Sequence, residues 1–414
     1  MERRILHADF NGFYASVECL LHPELRESPV AVAGDPESRH GIILAKNEYA
    51  KKFKIKTGEA IWQARQKCPN LVVVKPTFGE YLKFSKLGRQ IYSEYSDRVE
   101  AFGLDENWID LTASTDDFEE AERIAEEIRF RIKDELGITV SIGLANNKIF
   151  AKLGSDMKKP DALTVITPDN YRDLVWNLPA SDLLYVGRST GAKLFQRGIV
   201  TIGDIAQTDP KLLKSWLGKG GLMLHSFANG LDSSEVMHTV DSNPIKSVGN
   251  GVTAPRDLVD NDDVRLTFMM LCESVSARLR NSGFRARTVQ ICVRDCELYW
   301  FVRQKKLDSP SFLTDELLKG AMELFMANYD WYRPIRSLTI AGCDLIPLDA
   351  PEQLTLFNDA QMRERRERAE YTIDGIRGRF GYNSVLRALM LTDKRIGLMN
   401  PKEEHIIFPV GYRA

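Results

Sequence analysis

Three acidic residues raise the question of chemistry: Asp9, closing the run RRILHAD, and the adjacent pair Asp105-Glu106 inside VEAFGLDENWIDLT. Neighbours on a regular strand point to opposite faces, so an isolated Asp-Glu pair reads first as one solvated acid and one turn cap. Gly103 alters that expectation, because a glycine tolerates a bend that could aim both acids one way. Carboxylates gathered without His or Cys suit hard Mg²⁺, which takes oxygen ligands and shares them with phosphates. Two such ions could activate a hydroxyl and stabilise a departing pyrophosphate. Phosphoryl transfer is the chemistry that these residue types support.

The acids can meet only if their strands are neighbours. Residues 3–9 read as a short buried strand, followed by Phe13, Val17 and Leu20/Leu21 at helical spacing. Residues 99–112 read as a strand pair or bent strand. Residues 116–136 form an amphipathic helix, with Phe118, Ala121, Ile124, Ala125, Ile128 and Ile132 on one stripe. Residues 138–145 are a strand, NNKIFAKLGSDM a helix and 162–167 a strand. This predicts an α+β, ferredoxin-like split β-α-β-β-α-β layout with the Asp9 and 104–111 strands adjacent at its centre. Residues 24–77 would be an insertion, with strand-like PVAVAG, GIILA and LVVVKP around the basic NEYAKKFKIKTG. In 178–206, two short helices are expected around a tight turn at Val186-Gly187, with a second turn at Gly198. A second mixed segment, to about 347, pairs TVQICV and SLTIAGCDLI with two helical runs, and a charge-dense tail follows.

At 414 residues the chain exceeds what one core organises, so several domains are expected. No apolar run approaches the roughly 20 residues that span a bilayer, and Asp9 and Asn11 interrupt the only signal-like stretch. No membrane association is expected. The six cysteines make no C-x-x-C pair, which argues against a zinc or disulfide framework and fits a reducing cytoplasm. A net charge of −2 does not announce a nucleic-acid binder, but the distribution of charge matters more than its sum.

Four segments in order, ADFNGFYASVE (8–18), VEAFGLDENWIDLT (99–112), SIGLANNKIFAKLGSDMKKP (141–160) and YVGRSTGAKLFQRGIVTIGDIA (185–206), resemble the Y-family DNA polymerases of the DinB and UmuC type. The resemblance implies low-fidelity translesion synthesis without proofreading, acting on primer-template DNA and dNTP. It also implies a palm (1–23 and 78–168), inserted fingers (24–77) and a helical thumb of helix-hairpin-helix character (169–234). A linker (235–245), an α/β little finger (246–346) and a C-terminal tail (347–414) would follow. Carried over by position, Asp9, Asp105 and Glu106 become catalytic carboxylates holding two Mg²⁺, with the Phe10 carbonyl as a further ligand. Tyr14 becomes the aromatic gate against a ribose 2′-hydroxyl, Phe13 its core or sugar-stacking neighbour, and Lys159 a triphosphate contact. The fingers depart from the commoner Tyr-x-x-Arg pattern: Glu48 and Lys51 stand in those places, so Glu48 should turn away while Lys51 keeps the charge without the fork. Lys46-Asn47 resembles the UmuC-like version, placing the chain nearer that branch with Asn47 at the nucleotide. Asn11 replaces a second acid often found there.

Helix-hairpin-helix turns offer backbone N–H groups to DNA phosphates, a use that fits Gly187 and Gly198. Arg278, Arg280, Arg285, Arg287, Arg294, Arg303, Lys305 and Lys306 face only Asp295 and Glu297 over the same stretch. Such a run is usually a solvated face; on a little finger it would track phosphates. Gln353, Leu354, Leu356 and Phe357, in a Q-L-x-L-F segment, resemble the peptide that binds the bacterial sliding clamp. A monomer is expected. A palm-fold nucleotidyl cyclase and a catalytically silent DNA-binding scaffold remain the alternatives.

Overall fold

The computed structural model describes residues 2–34, 41–239, 245–351 and 360–400. These divide into two compact units, one within residues 1–243 and one from 244 onward.

The first unit is built on a five-stranded sheet. In chain order its described elements are β1 (Ile5–Phe10), α1 (Phe13–Leu21), β2 (Val30–Ala33), β3 (Ile43–Lys46), α2 (Glu48–Lys51), α3 (Ile61–Lys67), β4 (Val72–Val74), α4 (Phe78–Ser93), β5 (Val99–Ala101), β6 (Glu106–Asp110), α5 (Phe118–Leu136), β7 (Val140–Ala145), α6 (Lys148–Met157) and β8 (Leu163–Ile166). The sheet runs β5-β6-β1-β7-β8. β1 lies between β6 and β7, antiparallel to both, and β8 joins β7 in parallel. The β5-β6-β1-β7 order is the split β-α-β-β-α-β arrangement expected from the sequence; β8 extends its edge.

Strand alternation assigns the two faces of β1. Leu6, Ala8 and Phe10 enter a core with Tyr81, Ile91 and Tyr92 of α4 and Ala121, Ala125, Ile128 and Ile132 of α5. Ile5 enters the opposite core, shared with Ile149, Phe150 and Leu153 of α6 and Trp108 of β6. His7 and Asp9 have the parity of Ile5 and so share the α6 side. That helix lies unusually close: a Cβ on Gly143 of β7 would fall 2.0 Å from the Ala151 carbonyl oxygen.

Residues 24–77 carry a separate three-stranded sheet, β3-β2-β4, over a small core including Ile43, Ile55, Ile61 and Leu71. Helix α3 was not legible in the sequence. Downstream come α7 (Tyr171–Val175), α8 (Arg188–Phe195), α9 (Ile202–Gln207), α10 (Pro210–Leu217) and α11 (Lys219–Ala228). The two helices expected around Val186-Gly187 instead flank Gly198. Ahead of Val186 there is only a three-residue 3₁₀ turn, Ala180–Asp182, because Leu183 is already extended and Tyr185 has φ +71°. Residues 235–239 return to the first unit: Val236 is buried, Met237 N–H donates to Glu100 at 3.0 Å, and Thr239 N–H to the Asp97 carbonyl at 2.8 Å.

The second unit contains β9 (Ser247–Leu258), α12 (Asn261–Asn281), β10 (Phe284–Asp295), β11 (Trp300–Ser311), α13 (Thr314–Met326), β12 (Ile335–Pro347), α14 (Ala360–Phe380) and α15 (Lys394–Gly397). Its four strands are antiparallel, in the order β11-β10-β12-β9. Residues 360–400 belong to this unit, since Met390 and Ile396 are fully buried in its core.

Candidate active site

Asp9 and Glu106 are direct cross-strand partners on β1 and β6. Both occupy the side covered by α6, as does Trp108, two residues beyond Glu106. Asp105 precedes β6 in a bend where Gly103 has φ +102°, and its carbonyl accepts the Phe10 N–H at 3.1 Å. The bend anticipated at Gly103 is therefore present.

Helix α6 and the turn after it bring cations to the site. Lys152 Nζ lies 2.9 Å from Glu106 Oε2, 3.6 Å from Asp9 Oδ2 and 3.3 Å from Asp156 Oδ2. Lys159 Nζ lies 2.6 Å from Asp9 Oδ2 and 2.7 Å from Asp156 Oδ1. Buried His7 stands behind, its Nδ1 at 2.8 Å from Ser155 Oγ and its Nε2 at 3.4 Å from Glu106 Oε2. α6 is anchored at its start by Lys148, which pairs with Glu100 at 2.7 Å while its carbonyl accepts the Trp108 indole N–H at 3.0 Å.

The carboxyls respond differently. Burial, then repulsion from Asp9 and Glu106, pushes Asp105 up to about 7. Burial also raises Asp9, against the pull of Lys159. For Glu106, burial is outweighed by the His7 contact and the Lys152 ammonium, which hold its carboxyl well below the usual range. Burial holds His7 below the usual histidine range, the Glu106 contact opposing it.

The donor set fits a hard divalent cation. The oxygens come from carboxylates, and Glu106 Oε2 is a buried acceptor without an aligned hydrogen bond among the described residues. Those residues hold no cluster of three or more His, Cys, Asp or Glu already at ligand spacing. The lysines instead stand against the Asp9 and Glu106 oxygens.

Tyr14, half-buried on α1, stacks on Tyr81 at 4.3 Å and 7° between ring planes. Its hydroxyl is raised to about 12 by burial and then by Asp105. Phe13 is 3% exposed and packs in the α4–α5 core, stacked on Phe10. Asn47, expected at the nucleotide, is committed elsewhere: its Oδ1 accepts the N–H groups of Ala50 and Val30, both at 3.0 Å, and its amide donates to the Ser28 carbonyl at 2.8 Å. It caps α2 and ties that helix to β2. Lys51 and Glu48 are exposed and paired at 3.3 Å, one turn apart. Asn11 is also structural, bonding Ser141, Thr139 and the Asp161 N–H.

Comparison with known proteins decides the family. Residues 8–156 match the impB/mucB/samB family, and residues 245–356 match its C-terminal domain. A DNA polymerase IV of Acetivibrio thermocellus is 52% identical over 394 residues, covering 95% of this chain and 99% of the relative. DNA polymerase IV 2 of Bacillus subtilis is 34% identical, covering 94% and 95%. A solved Y-family DNA polymerase chimera of Dbh and Dpo4 superposes with a TM-score of 0.75 at 25% identity, covering 83% of this chain and 99% of that one. This chain belongs to the impB/mucB/samB family of Y-family DNA polymerases.

It is a DNA-directed DNA polymerase of the translesion type, an activity that uses divalent metal. The cyclase and silent-scaffold alternatives have no support. Both relatives reported carry the DNA polymerase IV name, so neither speaks for the UmuC-like placement suggested by Lys46-Asn47. In this polymerase no described helix is long and apolar enough to cross a membrane.

The residues expected to hold DNA are scattered. Gly187 precedes α8, and Gly198, with φ +77°, turns the chain between α8 and α9. Arg280 is 5% exposed and cannot face a duplex: it pairs with Asp374 at 2.6 Å and Glu370 at 3.3 Å of α14 and stacks over Phe312. Arg285 reaches Glu367 of α14 at 3.4 Å. Arg303 and Lys305 pair in register with Ile291 and Val289, buried residues of β10, so they lie on the helix-covered face. There they meet Asn328 and Glu323. Arg278 donates to the Gly249 carbonyl at 2.7 Å. Arg287 and Arg294 are exposed, as is Lys306. The basic run is thus no single face: alternation divides it, and α14 takes part of it. Gln353, Leu354, Leu356 and Phe357 lie outside the described residues.

Sequence reasoning missed His7, Lys152 and Asp156. The signals were present: His7 stands two residues before Asp9, and Lys152, Asp156 and Lys159 follow at spacings of four and three.

Proposed function

We propose that Asp9, Asp105 and Glu106, with the Phe10 main-chain carbonyl, hold two Mg²⁺ ions at the primer end. Such ions, when bound, would promote deprotonation of the primer 3′-hydroxyl and neutralise charge developing on the phosphates. The observation carrying this reading is the cross-strand pairing of Asp9 with Glu106, beside Asp105 in the Gly103 bend.

The chain's own residues would orient the reactants. Lys159, held by Asp156, supplies positive charge for the incoming triphosphate, with Lys51 a second cation from the inserted sheet. Tyr14 sets a wall against a 2′-hydroxyl, and Phe13 supports it from the core. The five-stranded sheet is read as palm, residues 24–77 as fingers, 169–234 as thumb and the second unit as little finger. DNA phosphates would meet Gly187, Gly198, Arg278 and Arg287, together with Arg294 and Lys306. Gln353–Phe357 would engage the sliding clamp of a bacterial cytoplasm, and the polymerase would act as a monomer.

Primer extension across an abasic template with Mg²⁺ tests the site. Asp105→Ala should abolish extension while leaving primer-template affinity within about twofold, since the residue lies at the chemistry rather than on the DNA surface. Equal loss of DNA binding would make Asp105 a structural residue.

A further inference from the structure

Glu18 is a buried acid that the carboxylate site does not use. It is 1% exposed on α1, one helical turn beyond Tyr14, and so on the same side of the helix. Its Oε1 accepts the Thr77 N–H at 3.0 Å and the Tyr81 hydroxyl. Thr77 immediately precedes α4 and makes no side-chain cap of its own; Tyr81 lies in the first turn. A side chain from α1 thus satisfies an N–H at the start of α4, where the helix cannot supply a partner.

The tie leads to the nucleotide side of the site. Tyr81 is fully buried, and its ring lies parallel to Tyr14 at 4.3 Å. Phe78, also in the first turn of α4, stands edge-on to both rings, at 5.9 Å from Tyr14 and 5.6 Å from Tyr81. The half-buried Tyr14 ring therefore rests on a platform whose polar end is fixed by Glu18. Without that anchor Tyr81 would keep its van der Waals neighbours but lose the contact that sets the position of its hydroxyl.

We propose that Glu18 is a positioning residue for sugar selection, holding Tyr81 so that Tyr14 keeps a fixed distance from the sugar of the incoming nucleotide. This rests on the reading of Tyr14 as the gate. Glu18→Leu removes the acceptor at similar volume, Tyr81→Phe removes the donor and keeps the ring, and Glu18→Gln keeps an acceptor oxygen.

The measurement is the ratio of kcat/KM for a dNTP to that for the matching rNTP, with thermal melting as a check on folding. Glu18→Leu and Tyr81→Phe should each lower the ratio about tenfold, the effect of losing one buried hydrogen bond expressed at one step. Glu18→Gln should stay within about twofold of the parent. In a Tyr14→Ala background, Glu18→Leu should change the ratio no further, because the effect passes through Tyr14. If Glu18→Leu does not fold, Tyr81→Phe decides. A relaxed ratio in Tyr14→Ala with an unchanged ratio in Tyr81→Phe and Glu18→Leu overturns the proposal and leaves the gate standing. Equal falls in dNTP and rNTP efficiency overturn it too, since a helix tie alone would do that. An unchanged ratio in Tyr14→Ala removes the gate itself.

Discussion

Replacing Lys152 by methionine removes one ammonium from among three acids and keeps much of the side-chain volume. Lys152 stands 2.9 Å from Glu106 with only 14% of its side chain exposed. In an effective dielectric of about 20, the gross attraction at that distance is about 6 kcal/mol. Desolvation offsets part of it, and truncating one partner of a buried pair nets about 3–5 kcal/mol. Asp9 keeps Lys159 at 2.6 Å, which places the expected loss near the lower end, about 3 kcal/mol. For a unit of this size that is a fall of roughly 6–12 °C in Tm. The pH dependence has a definite sign. Despite burial, the His7 contact and Lys152 hold the Glu106 carboxyl below its ordinary 4.5. Its stabilisation is present above about pH 4.5 and is lost as pH falls. The Lys152→Met deficit should therefore be largest near pH 8 and shrink only below about pH 4.5, as pH approaches the folded Glu106 value of about 2. Scanning calorimetry in EDTA at pH 8 and at about pH 3 measures it, and millimolar Mg²⁺ should recover part of it at pH 8. A parental Tm in EDTA at pH 8 would refute the counter-ion argument, and so would a deficit that ignores both pH and Mg²⁺.

Further outcomes follow from single groups. Asp105 titrates near 7 in the fold and near 3.8 when free, so its charge costs stability as pH rises from about 4 through 7. In EDTA, Asp105→Asn should then stabilise the fold at pH 8 by about 2 kcal/mol, a rise of roughly 4–8 °C in Tm, and much less at pH 5, as thermal melts would show. Gly143→Ala puts a methyl 2.0 Å from a backbone oxygen of α6, so urea titration should reveal a loss of about 3 kcal/mol or more. Glu273 is 2% exposed and pairs with both Arg377 and Arg387; Glu273→Leu should destabilise the second unit by about 3–5 kcal/mol in denaturant. Deleting Gln353–Phe357 should spare distributive synthesis but weaken clamp-stimulated synthesis in a primer-extension assay, and an undiminished clamp response would count against that assignment.

Local pattern carried far in this chain. The buried run read over residues 3–9 and the stripe of 116–136 correspond to β1 and α5, because a strand covered on both faces shows as a short apolar run and a helix buried on one face imposes a period of 3.6. Helix α3 escaped because its seven residues, IWQARQK, offer barely two turns of period. The pair of helices near Gly187 was misplaced for a related reason: LLYVG is apolar enough for a helix but too short to hold one, and Tyr185 turns the chain.

From the sequence alone came the three acids, the central pairing of their strands and the likeness to a polymerase family. The acids are displayed directly by residue type, the strand pairing follows from the order of periodic elements, and the likeness rests on four motifs met in order. Tertiary structure alone decided which charges meet. Lys152 reaches Asp9 and Glu106 because α6 rides tightly over Gly143, whereas Arg280 spends its charge on α14, ninety-odd positions away, rather than on DNA. A charged side chain looks the same in sequence whether water, a duplex or a distant carboxylate surrounds it. Only the packing of remote elements selects among them.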